Sequence, residues 1–137
     1  MINIAADIES LLKQTLIAVI STVDKHGRPR STPIWFNWED GAAYMFTDRS
    51  TLKWRNLLIH PYACLCIDWR TPPYRSIIID GTTEEVGRPV YDMVLIMAQR
   101  YYGNKEGSHF ADQYKDSAKD TVIFRLIPDR IVNFPKK

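Results

Sequence analysis

The 137-residue chain is 45% hydrophobic and 25% charged, with a formal net charge of +2. That size and balance describe one globular domain, residues 1–137, with a single core. So small a charge gives no electrostatic argument for a nucleic-acid partner, and no apolar run is long enough to span a bilayer. The opening "MINIAADIESLLKQ" carries acids and lacks the basic, apolar and cleavage regions of a signal peptide, so the expected location is the cytoplasm.

The elements follow in chain order. "IAADIESLLKQ" predicts a short amphipathic helix, with Ile4, Ile8, Leu11 and Leu12 at helical spacing. "LIAVISTV" (16–23) is β-branched and apolar, and "DKHG" then turns the chain, with Gly27 suited to a left-handed position. "RPRSTPIWFNW" resumes as one strand, bulged or at an edge because Pro29 and Pro33 have no N–H for a ladder. "AAYMFT" (42–47) is the third strand of the meander. A helix runs from about Ser50, a good N-cap, to Ile59, and "HP" stops it. "YACLCIDW" (62–69) and "YRSIIIDGTTEEVG" (74–87) are two further strands joined by "RTPP". "RPVYDMVLIMAQRYYG" is the clearest helix, bracketed by Pro89 and Gly103. The polar stretch 104–119 has room for another short helix. "TVIFRLIPDRIVNF" (121–134) is the last strand, with a bulge expected at Pro128-Asp129. Six mostly antiparallel strands with helices at the corners predict a mainly β fold, a small closed or nearly closed barrel with peripheral helices.

Familiar catalytic constellations are missing from the sequence. His26, His60 and His109 are isolated, without metal-ligand spacing, and no nucleophile elbow, Walker loop or Rossmann glycine pattern occurs. Glu84 and Glu85 point to opposite faces of one strand, so they form no local acid–base pair. Cys64 and Cys66 share a strand face at a spacing unsuited to a relaxed disulfide and are expected as buried thiols, and no metal site is expected. Trp35, Trp38, Trp54 and Trp69 fit core and interface positions as readily as a stacking platform for bases.

One stretch, "FTDRSTLKWRNL" (46–57), combines hydroxyls and cations where a strand runs into a helix. The first-turn N–H groups of a helix have no partner within it, and the helix dipole favours an anion there. Thr47, Ser50 and Thr51 can donate hydroxyl hydrogen bonds, Lys53 brings a mobile charge, and Arg49 can fold over from outside. Lys53 and Arg55 lie about 160° apart around a helix, so both do not grip one phosphate, and Lys53 is the better placed. The same residues equally describe a capped surface helix with scattered cations.

The order of motifs decides between these. Gly27 and Pro29, Ser31-x-Pro33-x-Trp35, the strand-end Thr47, and "KWRNLLIHP" with Lys53, Asn56, Leu57 and Pro61, followed by "YRSIIIDGTTEEV" with Gly81, resemble the split-barrel flavin and deazaflavin oxidoreductases. That superfamily includes pyridoxamine 5′-phosphate oxidase. The resemblance covers residues 8–90 well and the last strand loosely. It implies a six-stranded antiparallel split β-barrel of the FMN-binding type, forming a homodimer with a flavin-type cofactor, F420 or FMN, in each interfacial groove. Thr47, Thr51 and Lys53, with Ser50 beside them, would contact the cofactor phosphate. The strand Ser31, Thr32, Pro33, Ile34 would run beneath the ring system, and Arg75 and Ser76 match positions from which the partner subunit reaches it.

The chain departs from true pyridoxamine 5′-phosphate oxidases, which carry an arginine where this chain has "STPI" and an Arg-Lys pair where it has Leu52-Lys53. A counterpart of their C-terminal substrate-binding segment is not expected in this chain. The expected activity is therefore hydride transfer between bound F420 or FMN and a different small organic substrate. Arg28, Arg30, Arg49 and Arg55 are candidates to line the charged tail of F420. No side chain is identified as an acid or base, although Tyr74, Tyr91, Tyr101 and Tyr102 are possible donors. Non-enzymatic flavin storage is the alternative, and a haem-binding barrel with His60 or His109 as axial ligand is a third reading. Neither nucleic acid nor membrane is an expected partner.

Overall fold

The computed structural model describes residues 2–135. Its strands are β1 (Ala18–Val23), β2 (Pro29–Ile34), β3 (Asn37–Glu39), β4 (Ala42–Asp48), β5 (Tyr62–Trp69), β6 (Arg75–Glu85) and β7 (Thr121–Phe134). They form one antiparallel sheet in the order β2-β1-β5-β6-β7-β4-β3. Strand interiors alternate as the period-2 rule requires: Ala63, Leu65 and Ile67 of β5 face in, while Cys64 and Cys66 face out and are half-buried. Both cysteines are therefore free thiols on the sheet's outer face, not core residues. Burial and the neighbouring Asp80 push the Cys64 thiol up to about 11, which keeps it protonated and unreactive at neutral pH.

The expected second strand is divided in two, so the strands number seven and not six. β2 and β3 lie at opposite edges of the sheet, yet only Trp35 and Phe36 separate them in sequence. Three residue steps reach roughly 10 Å. The two edges must therefore lie side by side, and that curls the sheet into a split barrel. The break falls just after Pro33, which cannot donate to a ladder, and Phe36 turns fully inward at it. Ile20, Phe36, Leu65, Ile79 and Phe124 fill the centre, with α1 (Ala6–Leu12) sealing one end through Leu12. The sequence-predicted bulge is present: Asp80 pairs Arg130 and Gly81 pairs Pro128, leaving Asp129 extra. Gly81 has no room for a Cβ there, because the Ile127 carbonyl and the Leu126 side chain occupy the space.

The β1–β2 turn is built on Asp24. Its Oδ1 accepts the His26 N–H (2.9 Å) and Arg28 N–H (3.0 Å), its Oδ2 accepts Arg30 Nε (3.1 Å), and Gly27 supplies φ +77°. The backbone donor of Arg28 is the main reason the carboxyl titrates at about 2 instead of 3.8. A depressed carboxylate adds stability above the unfolded value of 3.8 and loses it as the pH falls towards about 2. The Asp24→Asn variant should therefore have a lower urea midpoint than the wild type near neutral pH, and the two midpoints should converge in acid. A constant gap across that range would contradict the assignment.

Two helices complete the frame. α2 (Leu52–Ile59) buries Trp54, Asn56 and Leu57, and its Asn56 Nδ2 donates to Thr22 Oγ1 inside the barrel (3.1 Å). α3 (Val90–Tyr102) lays Met93 and Met97 over Ala42, Tyr44 and Ile123 on the outer face of β4 and β7. The polar stretch after it is largely helical, as α4 (Asn104–Ala111) and a single 3-10 turn (Asp112–Tyr114). None of the helices among the described residues is long and apolar enough to cross a membrane.

Candidate functional site

The junction of β4 and α2 gathers polar groups at one point. Thr51, not Ser50, is the N-cap: it has extended φ and ψ, and its Oγ1 accepts the Trp54 N–H (3.4 Å). Ser50 instead turns back to Asp48, donating both its N–H (2.9 Å) and its hydroxyl (2.8 Å) to Oδ1. The cap therefore falls one residue later than the sequence reading placed it, because Asp48 competes for the Ser50 donors and leaves Thr51 to cap. Those donors also hold the Asp48 carboxyl below its usual range.

Thr47, Thr51 and Lys53 converge as expected. The hydroxyl oxygens of Thr47 and Thr51 stand 3.1 Å apart, and Lys53 Nζ donates to Thr47 Oγ1 at a long 3.4 Å. Thr47 is buried and Lys53 half-buried. Burial lowers the Lys53 pKa, and among the described residues no carboxylate ion-pairs with it. A partly desolvated ammonium without a counter-charge costs stability, and a bound anion removes that cost.

Lys53 is also the residue shared by two cavities. One, of about 380 Å³, is bounded by Pro33, Ile34, Trp35, Phe46, Phe110 and Tyr114, with Thr47, Asp48 and Lys53 at its polar end. The other, of about 370 Å³, has Thr22, Arg30, Ser31, Thr32 and Thr51 around it. Each is of a size that holds a small ring system. Together they form a groove along β2 that is aromatic on one side of Lys53 and polar on the other.

The aromatic wall is the part the sequence reading missed. Trp35 stacks on Tyr101 (4.9 Å, 10°) and meets Phe110 at 5.2 Å, while Phe46 meets Tyr114 edge-on at 5.5 Å. Tyr101 is locked behind the wall, accepting the Phe36 N–H (3.1 Å) and donating to the Leu16 carbonyl (2.7 Å), so it is a structural residue. Phe110 and Tyr114 come from α4 and the 3-10 turn. Their four-residue spacing within a polar stretch was the available signal.

The remaining candidates lie elsewhere within the chain. Arg75 donates to Asn133 Oδ1 (3.3 Å) and pairs with Asp7 (3.5 Å), and with Ser76 it lines a separate hollow beside Trp69, Tyr74 and Phe134. Arg49 is engaged by Glu85 at 2.6 Å, and Arg55 is exposed on the far side of α2. Arg28 is exposed beside the β1–β2 turn, whereas Arg30 faces the second cavity while paired to Asp24. Tyr91 is half-buried on α3 with Lys115 over its ring, and Tyr102 meets Trp35 edge-on. His60 and His109 are exposed and border neither cavity. No group of three or more potential metal ligands occurs among the described residues.

Comparison with known proteins agrees with this architecture. The family model described as pyridoxamine 5′-phosphate oxidase matches residues 4–133. The chain is 29% identical over 107 residues to a pyridoxine/pyridoxamine 5′-phosphate oxidase of Streptomyces avermitilis, covering 77% of this chain and 44% of that protein. It thus spans less than half the length of the curated relatives it matches. Among solved structures, an F420 reductase superposes with TM-score 0.73 at 24% identity, covering 90% of this chain and 94% of the other. The heme storage protein HutZ of Vibrio cholerae superposes with TM-score 0.70 at 16% identity, over 96% of this chain and 94% of the other. At those identities the structural matches establish the split-barrel fold.

Proposed function

The chain belongs to the pyridoxamine 5′-phosphate oxidase family, and from that premise we propose that it is an oxidoreductase holding a flavin-type cofactor, FMN or F420. Thr47, Thr51 and Lys53 bind the cofactor phosphate, and the ring system lies along Ser31, Thr32, Pro33 and Ile34. The observation that carries this reading is the half-buried Lys53, without a carboxylate partner among the described residues, between an aromatic and a polar cavity. The donor set fits the group: two hydroxyls and one ammonium meet a phosphate, and Trp35, Phe46 and Phe110 offer a dry wall to a planar ring. Ser50 stays on Asp48 and supports the junction without facing either cavity.

When bound, the cofactor supplies hydride-transfer chemistry to or from a small organic substrate. The chain's part is to fix the phosphate, exclude water from the aromatic cavity and align the ring along β2. Arg30, held by Asp24, faces the polar cavity and suits a negatively charged tail such as that of F420. The stretch "STPI" (31–34) and Leu52 stand where true pyridoxamine 5′-phosphate oxidases carry arginines, so pyridoxamine phosphate is not the substrate we expect.

The working unit is a homodimer. Strand register aligns Pro33, Val19, Cys66, Ile78 and Val132 in one apolar row across the outer face of five strands. α3 covers the other side of the barrel, and this face is left open with Val132 38% and Phe134 64% exposed. Ser76 stands two residues along β6 from Ile78, so a partner packed on this face brings its Arg75 and Ser76 towards the groove.

Two measurements test the reading. Sedimentation equilibrium should give twice the 15.9 kDa chain mass, and a strict monomer would contradict the shared groove. Cofactor-loaded protein should cycle its absorbance when mixed with a chemical reductant and then a small quinone or nitroaromatic acceptor. Tight binding with no such cycling would leave storage as the function.

A further inference from the structure

Tyr114 stands on the 3-10 turn after α4, and its ring is clamped between Phe46 (5.5 Å, 77°) and Phe110 (5.7 Å). It borders the cavity that Lys53 closes, and no described residue hydrogen-bonds its hydroxyl. Burial, with a smaller contribution from the Asp48 charge, holds its proton more tightly than usual, so the group stays a neutral donor. The hydroxyl opens onto the cavity, and a ring held by packing aims it in a fixed direction.

Asp48 adds a directional constraint. Its carboxylate lies on the same wall, kept ionised by the two Ser50 donors. An anionic group is thus drawn away from the cavity that carries this carboxylate, past Lys53 and towards Arg30 in the other. The groove is polarised along its length, which leaves one favourable orientation for a molecule with a neutral ring and an anionic tail.

Resting on the cofactor reading above, we propose that Tyr114 contacts the cofactor directly, its hydroxyl donating a hydrogen bond to an acceptor on the ring edge inside the aromatic cavity. Flavin and deazaflavin rings both carry carbonyl oxygens at their edge, so the contact is available to either. The ring end and the phosphate end are then held by separate residues, and the two contributions can be separated with phosphate-free ligands.

The test compares wild type, Tyr114→Phe and Lys53→Ala, titrated with FMN and with riboflavin, or with F420 and 8-hydroxy-5-deazariboflavin if F420 is the one bound. Phenylalanine keeps the ring contacts, and an unchanged denaturation midpoint confirms that the fold is intact. Tyr114→Phe should weaken the phosphate-bearing and phosphate-free ligands by the same factor, about five- to tenfold, and shift the absorption band of the bound ring. Lys53→Ala should weaken only the phosphate-bearing ligand. Unchanged affinities and spectra in Tyr114→Phe, or a loss confined to the phosphate-bearing ligand, would overturn the assignment while leaving the cofactor reading standing. Failure of the wild type to bind any of the four would overturn both.

Discussion

Replacing Lys53 with methionine should lower cofactor affinity roughly 10- to 150-fold, the range of a charge-assisted hydrogen bond worth about 1.5–3 kcal/mol. The same change should leave the cofactor-free protein as stable as the wild type or more so. The opposite signs follow from the position of the side chain. In the free protein the ammonium is half-buried against Thr47 with no carboxylate partner among the described residues, and burial has already lowered its pKa. A basic group whose folded pKa is lowered costs stability while it is charged. That cost shrinks once the pH rises above the folded pKa and is gone above the ordinary value of 10.5. Methionine keeps the packing of the stem and removes the charge, so the free protein gains what the bound state loses. Denaturant midpoints and binding isotherms of the two proteins check both halves. A less stable free protein with undiminished affinity would mean that Lys53 is a structural residue.

The Gly107→Ala variant should be destabilised by about 1–3 kcal/mol and lose the shape of the aromatic cavity. A helix interior normally favours alanine over glycine by roughly 1 kcal/mol, so the direction is opposite to the helix-propensity expectation. The reason is a close crossing of backbones. A Cβ at Gly107 would stand 2.5 Å from both Cα and N of Gln99 on α3, and main chain cannot swing aside as a side chain can. α4 would have to lift away. Phe110, one turn further on, contacts Trp35 at 5.2 Å, and Tyr114 follows on the next turn. Movement of α4 therefore opens the cavity wall at the end opposite Lys53. Chemical denaturation measures the first effect, and the change in Trp35 fluorescence environment reports the second. A stabilised variant with unaltered fluorescence would contradict the packing described.

These residues also show what could be read in the chain before its structure. Alternation in "YACLCIDW" made β5 legible, because the barrel wall buries every second residue, and "TVIFRLIP" was legible as a β-branched apolar run whose first residues are buried on both faces under α3. Thr47, Thr51 and Lys53 were legible as a group because one strand end and one helix start bring them together locally. The division between β2 and β3 was not, since it depends on opposite sheet edges meeting, which no local pattern encodes. Ser50 was misplaced as the cap because Ser and Thr are both good caps, and only the Asp48 carboxylate beside them settles which is free. Phe110 and Tyr114 were missed because their turn is polar in sequence and gains its role only by packing against Trp35 and Phe46. Arg75 and Ser76 lie beyond the reach of the groove within one chain, so their proposed role depends on a second copy.

The central claim is that the groove at Lys53 holds a phosphate-bearing flavin-type cofactor. Absorbance titration of the purified wild-type protein with FMN and, separately, with F420 tests it most directly. Saturable binding of at least one of them is expected at one equivalent per chain, with inorganic phosphate competing. Absence of saturable binding for both, or binding that inorganic phosphate leaves untouched, would contradict it.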